Sequence, residues 1–81
     1  MEFHYVYILQ SERDRDHYYV GQTQNLKTRL IARNRGTCTA TAPFLPWHLK
    51  TALAFTNPEK AHAFEHYLKS GSGRAFAKKH L

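Results

Sequence analysis

Two short stretches of the sequence contain pairs of tyrosines where neighbouring strands are expected. Tyr5 and Tyr7 lie in the run FHYVYIL, and Tyr18 and Tyr19 lie in HYYVG, with a polar, charged segment between the two runs. A phenol can orient a water molecule or accept its proton during attack on a phosphate, although strand tyrosines are more often packing residues. Tyr7 and Tyr19 are the stronger candidates, because Gly21 follows Tyr19 closely and would let a phosphate approach the backbone.

Two charged residues on predicted helices have side chains that suit phosphate chemistry. Arg29 lies at the edge of the apolar stripe of a helix predicted over 23–36, and a guanidinium binds a phosphate through two parallel hydrogen bonds. Glu65 lies at the border of the stripe of a later helix, and a carboxylate there can hold Mg²⁺ or Mn²⁺. The plainer interpretations are an exposed arginine and a carboxylate paired with Lys69 one turn later.

Other kinds of catalytic site find little support in the sequence. His62 and His66 are four residues apart on the same predicted helix, but no HExxH pattern and no third zinc ligand accompany them. Cys38 is the single cysteine, which excludes an internal disulfide and zinc motifs with two cysteines. The nucleophile elbow, the P-loop and the dinucleotide-binding glycine pattern are also missing from the sequence.

The elements that must position these side chains are predicted from periodicity and turn residues. Strands are predicted over 3–9, 17–21 and 48–55, and residues 37–47 are predicted as a loop. Helices are predicted over 23–36, over 57–70 and in the basic segment after Gly71. The predicted order is therefore ββαβαα, an α/β (α+β) fold with a small three-stranded antiparallel sheet flanked by helices.

Capping residues and apolar spacing predict details of these elements. Asn25 or Thr23 is expected to cap the first helix, and Gly36 to end it. Asn57 followed by Pro58 predicts the start of the second helix. A break is expected at Gly71, with Ser72 capping the last helix. The third strand is predicted to place four side chains on one face: Leu49, Thr51, Leu53 and Phe55. The core stripes are predicted to comprise Leu26 and Leu30 in the first helix, Ala61, Phe64 and Leu68 in the second, and Phe76 in the last.

Length and charge limit the classes of function. The 81 residues predict a single domain over 1–81, and no apolar run approaches the roughly 20 residues that span a bilayer. No secretory signal is visible, so a cytoplasmic protein with no membrane partner is expected. Residues 1–24 carry a net charge of −2 and residues 25–81 carry +8, which favours a polyanionic partner such as nucleic acid. Six basic residues are candidates for contact with a nucleic-acid backbone: Arg33, Lys50, Lys69, Arg74, Lys78 and Lys79.

The ordered set of motifs resembles the GIY-YIG nucleases. Tyr5-Val6-Tyr7 and Tyr19-Val20-Gly21 are similar to the paired signature of that family. The likeness continues through T-x-N-L-x-x-R-L at 23–30, N-x-G at 34–36, Pro46-Trp47 and AHAFEHYLKSGSGR at 61–74. It extends from about Phe3 to Lys79 and is closest to the stand-alone bacterial members that have no added DNA-binding domain.

The resemblance implies metal-dependent endonuclease cleavage of a phosphodiester, most simply in DNA, in repair or recombination. It assigns the two signature tyrosines to Tyr7 and Tyr19, the helix arginine to Arg29 and the metal-binding glutamate to Glu65, with Mg²⁺ or Mn²⁺ as cofactor. Arg33 stands where many members have a histidine. A nucleic-acid-binding module that has lost turnover is the alternative, and the oligomeric state, monomer or weak dimer, stays open.

Overall fold

The computed structural model describes residues 2–81 as one three-stranded sheet with helices on both faces. The strands are β1 (His4–Ser11), β2 (Tyr18–Thr23) and β3 (Trp47–Phe55). The helices are α1 (Leu26–Asn34), α2 (Pro58–Lys69) and α3 (Gly71–His80), and a short 3₁₀ turn covers Ala42–Phe44. The order is ββαβαα, which confirms the predicted α+β fold.

The sheet is antiparallel throughout, in the order β2-β1-β3, so β1 is central and β2 is an edge strand. In β1, Val6 and Ile8 point to one face and Tyr7 and Leu9 to the other, and all four are at most 4% exposed. A strand that is apolar on both faces must be covered on both faces. The continuous apolar run in β1 therefore explains why helices pack on each side.

Each face of the sheet has its own small core. On one face, Val6 and Ile8 pack against Ala61 and Leu68 of α2, and Phe76 of α3 contacts this cluster. We call this side the α2/α3 face. On the other face, three buried residues contact the partly buried Leu26 and Leu30 of α1; these three are Tyr7, Leu9 and Trp47. We call this side the α1 face, and it carries Tyr7. These packing positions confirm the predicted core stripes of the three helices.

A bulge in β3 makes one sequence prediction wrong. Ile8 pairs with Thr51 but Leu9 pairs with Leu49, so one extra residue lies between the paired positions of β3. Leu49 therefore turns to the α1 face and is 40% exposed, whereas Thr51, Leu53 and Phe55 stay on the α2/α3 face. A period of two predicts all four on one face, and a single inserted residue reverses the alternation.

The helix and strand ends also differ from prediction in several places. The second strand does not end at Gly21 but continues to Thr23. The first helix is shorter than 23–36: Asn25 caps it through a bond from the Thr28 amide, and Gly36 follows its end with φ of +72°. Gly71 does not break the chain into a loop, because the α2/α3 junction is the single residue Ser70.

Ser70 explains the wrong prediction at the start of α3. Its side chain accepts a bond from the Gly73 amide, so Ser70 and not Ser72 is the cap, and Gly71 is the first helical residue. The predicted loop over 37–47 also loses its last residue, because Trp47 begins β3. Within the described chain, no helix is long and apolar enough to cross a membrane.

Candidate active site

Tyr7 and Tyr19 lie side by side on the α1 face of the sheet. Leu9 pairs with Tyr19 and Tyr7 pairs with Gly21, which puts both tyrosines on the same side of neighbouring strands. Their ring centroids are 6.4 Å apart. The Tyr7 ring lies over Gly21, where an added Cβ would be 2.5 Å from the phenol oxygen. Gly21 does permit a close approach to the backbone, and the group that approaches it is the Tyr7 phenol.

Arg33 of α1 reaches both phenols. Its Nη2 donates a hydrogen bond of 2.5 Å to Tyr19 Oη, and its Cζ lies 4.3 Å from the centroid of the Tyr19 ring. Its charge also lies close enough to Tyr7 to interact with that phenol. Burial alone would lower the pKa of Arg33, but Tyr19 and Tyr7 outweigh that effect and raise it. Arg33 is therefore a permanent positive charge held against two hydroxyl groups.

One donor of this guanidinium remains without a partner. Among the described residues, Arg33 Nε is the buried side-chain polar atom for which no hydrogen bond forms. A buried N–H without an acceptor costs free energy, on the order of 1–3 kcal/mol. The structure places Nη2 and Cζ of Arg33 against Tyr19. The predicted contact of Arg33 with a nucleic-acid backbone stays a prediction.

The charge state of Tyr7 follows from its surroundings. Burial raises the pKa of Tyr7 above its ordinary value of 10.0, and the neighbouring Tyr19 raises it further. Arg33 and Arg29 lower the pKa of Tyr7, but less than burial and Tyr19 together raise it. Tyr7 therefore keeps its proton at neutral pH. Neither arginine brings the pKa of this phenol towards neutrality in the protein alone.

Arg29 lies one turn before Arg33 on α1 and is exposed to solvent. Its charge is close enough to Tyr7 to lower the pKa of that phenol. An exposed guanidinium next to two phenols is free to bind a phosphate that arrives from solvent. The structure therefore brings four of the predicted residues into one neighbourhood: Tyr7, Tyr19, Arg29 and Arg33.

Glu65 lies on the other face of the sheet. It belongs to α2, which packs on Val6 and Ile8, and its Oε1 accepts a 2.8 Å hydrogen bond from Gln22 Nε2. Gln22 pairs with Val6 and follows Gly21 directly on the edge strand β2. The tyrosines and the glutamate are therefore held on opposite sides of the same short piece of β2 backbone.

The donor set around Glu65 is compatible with a divalent cation that keeps most of its water. Its Oε2 forms a 2.9 Å ion pair with Lys69, and the glutamate side chain is 12% exposed while that of Lys69 is 53% exposed. The lysine side of this pair is half exposed, so a divalent cation can displace the lysine. Within residues 2–81, no cluster of three or more His, Cys, Asp or Glu side chains is arranged to hold a metal. Mg²⁺ commonly binds through one or two carboxylates plus water and substrate phosphate.

The six predicted basic contacts do not all lie together. Four of the six predicted contacts line a single groove on the α2/α3 face: Lys50, Lys69, Arg74 and Lys78. Lys79 is exposed on α3 but is not part of that lining. Arg33 lies on the α1 face with the tyrosines.

Sequence reasoning missed Gln22 and the contact of Arg33 with the phenols. The strand period could have found Gln22, because residues next to each other on a strand point to opposite faces, so residue 22 had to face away from Gly21. Nothing in the sequence pattern indicated that Arg33 would contact the phenols. The spacing of Arg29 and Arg33 is that of any solvated helix edge, and only packing shows which of the two turns inwards.

Comparison with protein families gives a match over most of the chain. No curated protein sequence matches the chain significantly. The family model described as the GIY-YIG catalytic domain matches residues 3–79. Because this match covers nearly all of the chain, including both paired tyrosines, Arg29 and Glu65, the protein belongs to the GIY-YIG family, whose nuclease domains act on nucleic acid and generally use divalent metal ions.

Proposed function

We propose that this protein is an endonuclease, dependent on a divalent metal, that hydrolyses phosphodiester bonds in branched DNA during repair or recombination. The observation that carries the proposal is the cluster of Tyr7, Tyr19 and Arg33 around Gly21, with the exposed Arg29 beside it. Two phenols on neighbouring strands, with two guanidiniums of α1 beside them, are more than packing requires. In this proposal residues 1–81 act as one domain, and the protein works in the cytoplasm.

The chain's own residues have separate tasks in this reaction. Tyr7, which keeps its proton, donates a hydrogen bond and orients the attacking water. Tyr19 is the candidate acceptor of the water's proton, because its oxygen lies in hydrogen-bond contact with the guanidinium of Arg33. Arg29, exposed to solvent, binds the scissile phosphate and stabilises the charge that develops on it.

Glu65 is the proposed ligand of Mg²⁺ or Mn²⁺, with Gln22 holding its carboxylate in place. A divalent ion there, completed by water, supplies Lewis-acid stabilisation of negative charge on phosphate oxygens. Glu65 and the tyrosines are on opposite faces, but β2 is an edge strand, and Gly21 and Gln22 are neighbours on it. A phosphodiester lying across that edge would contact both sets of residues.

The test is cleavage of a panel of substrates in Mg²⁺ by the wild type and matched variants. Single-stranded, duplex, flap and junction DNA, and RNA, separate the substrate classes. Glu65→Gln and Arg29→Gln should each lower the rate on the order of 10²–10³-fold. Glu59→Gln removes another carboxylate of α2, and Arg35→Gln removes another exposed arginine at the end of α1, so both should cleave like the wild type. Equal nicking by all variants would mean a contaminating nuclease and a wrong site.

The alternative is a nucleic-acid-binding module on the same scaffold with little turnover. Two observations favour it: burial keeps Tyr7 protonated, and both carboxylate oxygens of Glu65 already have partners. It predicts DNA binding that weakens with salt, without cleavage in Mg²⁺, Mn²⁺ or any other divalent metal. Turnover that disappears with Glu65→Gln would exclude this alternative.

A further inference from the structure

A groove on the α2/α3 face is lined mostly by residues with no role in the proposed catalysis; of the catalytic residues only Tyr19 is part of its lining. It lies between the start of β2, Lys50 of β3 and the junction of α2 with α3, and its cavity volume is about 760 Å³. Its apolar lining includes Val20, Leu68 and Ala77. A volume of this order lies within the range of small-ligand pockets, roughly 300–1,000 Å³. We call it the Tyr18 groove, after the exposed aromatic residue at its rim.

The charge of the Tyr18 groove is strongly positive. Four basic side chains line it, Lys50, Lys69, Arg74 and Lys78, against one acidic side chain, Asp16. Lys69 forms an ion pair with Glu65, and Lys50 donates a 3.1 Å hydrogen bond to the Leu81 oxygen. Within the described chain, Arg74 and Lys78 form no ion pair. Like charges gathered around one concave surface repel one another, and a bound polyanion would offset that repulsion.

Tyr18 differs from the other three tyrosines of the two signature strands. It is 48% exposed, whereas Tyr7 is 2% exposed. Tyr18 pairs with Gln10 at the start of β2, on the same face as Val20, so its ring borders the groove and not the catalytic cluster. The Lys50 ammonium lies 5.6 Å from its ring centroid. An exposed aromatic ring between cations is the combination that binds unpaired nucleotides, by stacking on the base and attraction of the backbone.

We propose that the Tyr18 groove binds a single-stranded DNA segment, with one base stacked on Tyr18 and the backbone phosphates near Lys50, Arg74 and Lys78. The bases of a duplex are stacked on each other, so they cannot offer a free face to this ring. Lys69 lines the groove and also contacts Glu65, which places one end of the groove beside the proposed metal ligand. If the proposed function holds, the substrate therefore carries a single-stranded arm; the binding itself does not depend on cleavage.

The experiment measures binding of a fluorescein-labelled 10-nucleotide oligo(dT) by anisotropy, in EDTA, over a series of salt concentrations. Stacking of one base corresponds to about fivefold to a hundredfold in affinity. Tyr18→Leu should therefore weaken binding by at least about fivefold, whereas Tyr18→Phe, which keeps the aromatic face, should bind within twofold of the wild type. A duplex of the same length should bind more weakly and should not respond to Tyr18→Leu.

A matched pair of lysine variants tests how much charge contributes to the binding of oligo(dT). Lys78→Gln should weaken binding and reduce the slope of log affinity against log salt by about 0.7, the value for one phosphate contact on a single strand. Lys60→Gln removes an equal charge from the exposed first turns of α2, away from the groove, and should leave the slope unchanged. Equal effects of the two substitutions, or a Tyr18→Leu variant that binds like the wild type, would overturn the proposal.

The same variants separate this inference from the proposed function. Loss of oligo(dT) binding in Tyr18→Leu, together with equal cleavage by the wild type and Glu65→Gln, would support the groove and refute the catalytic site. Loss of cleavage in Glu65→Gln, together with unchanged binding by Tyr18→Leu, would support the catalytic site and refute the groove. Circular dichroism of Tyr18→Leu should match the wild type, because an exposed ring contributes little to the core.

Discussion

Replacement of Gly21 by alanine tests the contact on which the arrangement of the two phenols depends. The new Cβ would lie 2.5 Å from Tyr7 Oη, 2.7 Å from Tyr7 Cζ and 3.1 Å from Tyr19 Cε1. Carbon contacts are comfortable at about 3.5–4.0 Å, so the Tyr7 ring must move by roughly 1 Å. The ring is 2% exposed and packs against Leu9 and Trp47, which leaves it little room.

The size of the effect follows from this lack of room. Inserting one methyl group into a packed core costs about 1–3 kcal/mol. For a domain of this size, each kcal/mol lowers the melting temperature by about 4–8 °C. The Gly21→Ala protein should therefore melt roughly 4–24 °C below the wild type. Because the Tyr7 hydroxyl is displaced by about 1 Å, cleavage should fall on the order of 10²-fold even where the variant is fully folded.

Thermal unfolding followed by circular dichroism measures the stability, and cleavage at 20 °C measures the activity. Gly71→Ala is the matched control, because a Cβ at this exposed first residue of α3 would meet no atom within 4 Å. That substitution should leave stability unchanged or raise it by up to about 1 kcal/mol. A Gly21→Ala protein that melts and cleaves like the wild type would mean that the Tyr7 phenol does not lie over residue 21, and the site geometry would be wrong.

Two further predictions concern stability. Asn34→Ala removes two hydrogen bonds to the buried Trp47 peptide, of 2.7 and 3.0 Å, so the free energy of unfolding should fall by about 2 kcal/mol. Urea unfolding followed by the fluorescence of Trp47, the single tryptophan, measures this loss. A loss under about 0.5 kcal/mol would contradict the reasoning. Tyr7 has a pKa raised above 10.0, so its contribution to stability is complete below pH 10 and is lost as the pH rises towards the folded pKa. The wild type should therefore lose more stability than Tyr7→Phe between pH 9.5 and the onset of alkaline unfolding, and parallel curves would argue against this burial effect.

Local sequence signals predicted most of the fold because short-range physics decides those features. Asn57 followed by Pro58 starts α2 as predicted, since a side-chain acceptor and a fixed φ are both properties of residues at that point. The doubly apolar run of β1 indicated a central strand for the same kind of reason. The cap of α3 was wrongly assigned to Ser72 because an earlier serine, Ser70, could also cap the helix. Leu49 was assigned to the wrong face because the bulge in β3 depends on its pairing with β1.

In the candidate active site, too, some features follow from local sequence and others from contacts between distant residues. The sequence alone was enough to predict the strands and helices that carry Tyr7, Tyr19, Arg29 and Glu65, because periodicity and capping are properties of neighbouring residues. Which residues touch depends on contacts between positions far apart in the chain. Arg33 turns inwards to the phenols, and Glu65 is held by Gln22, 43 residues earlier, only because α1 and α2 pack on opposite faces of one sheet. No local pattern indicates which face of the sheet each helix covers, since the same apolar stripe would be buried on either face.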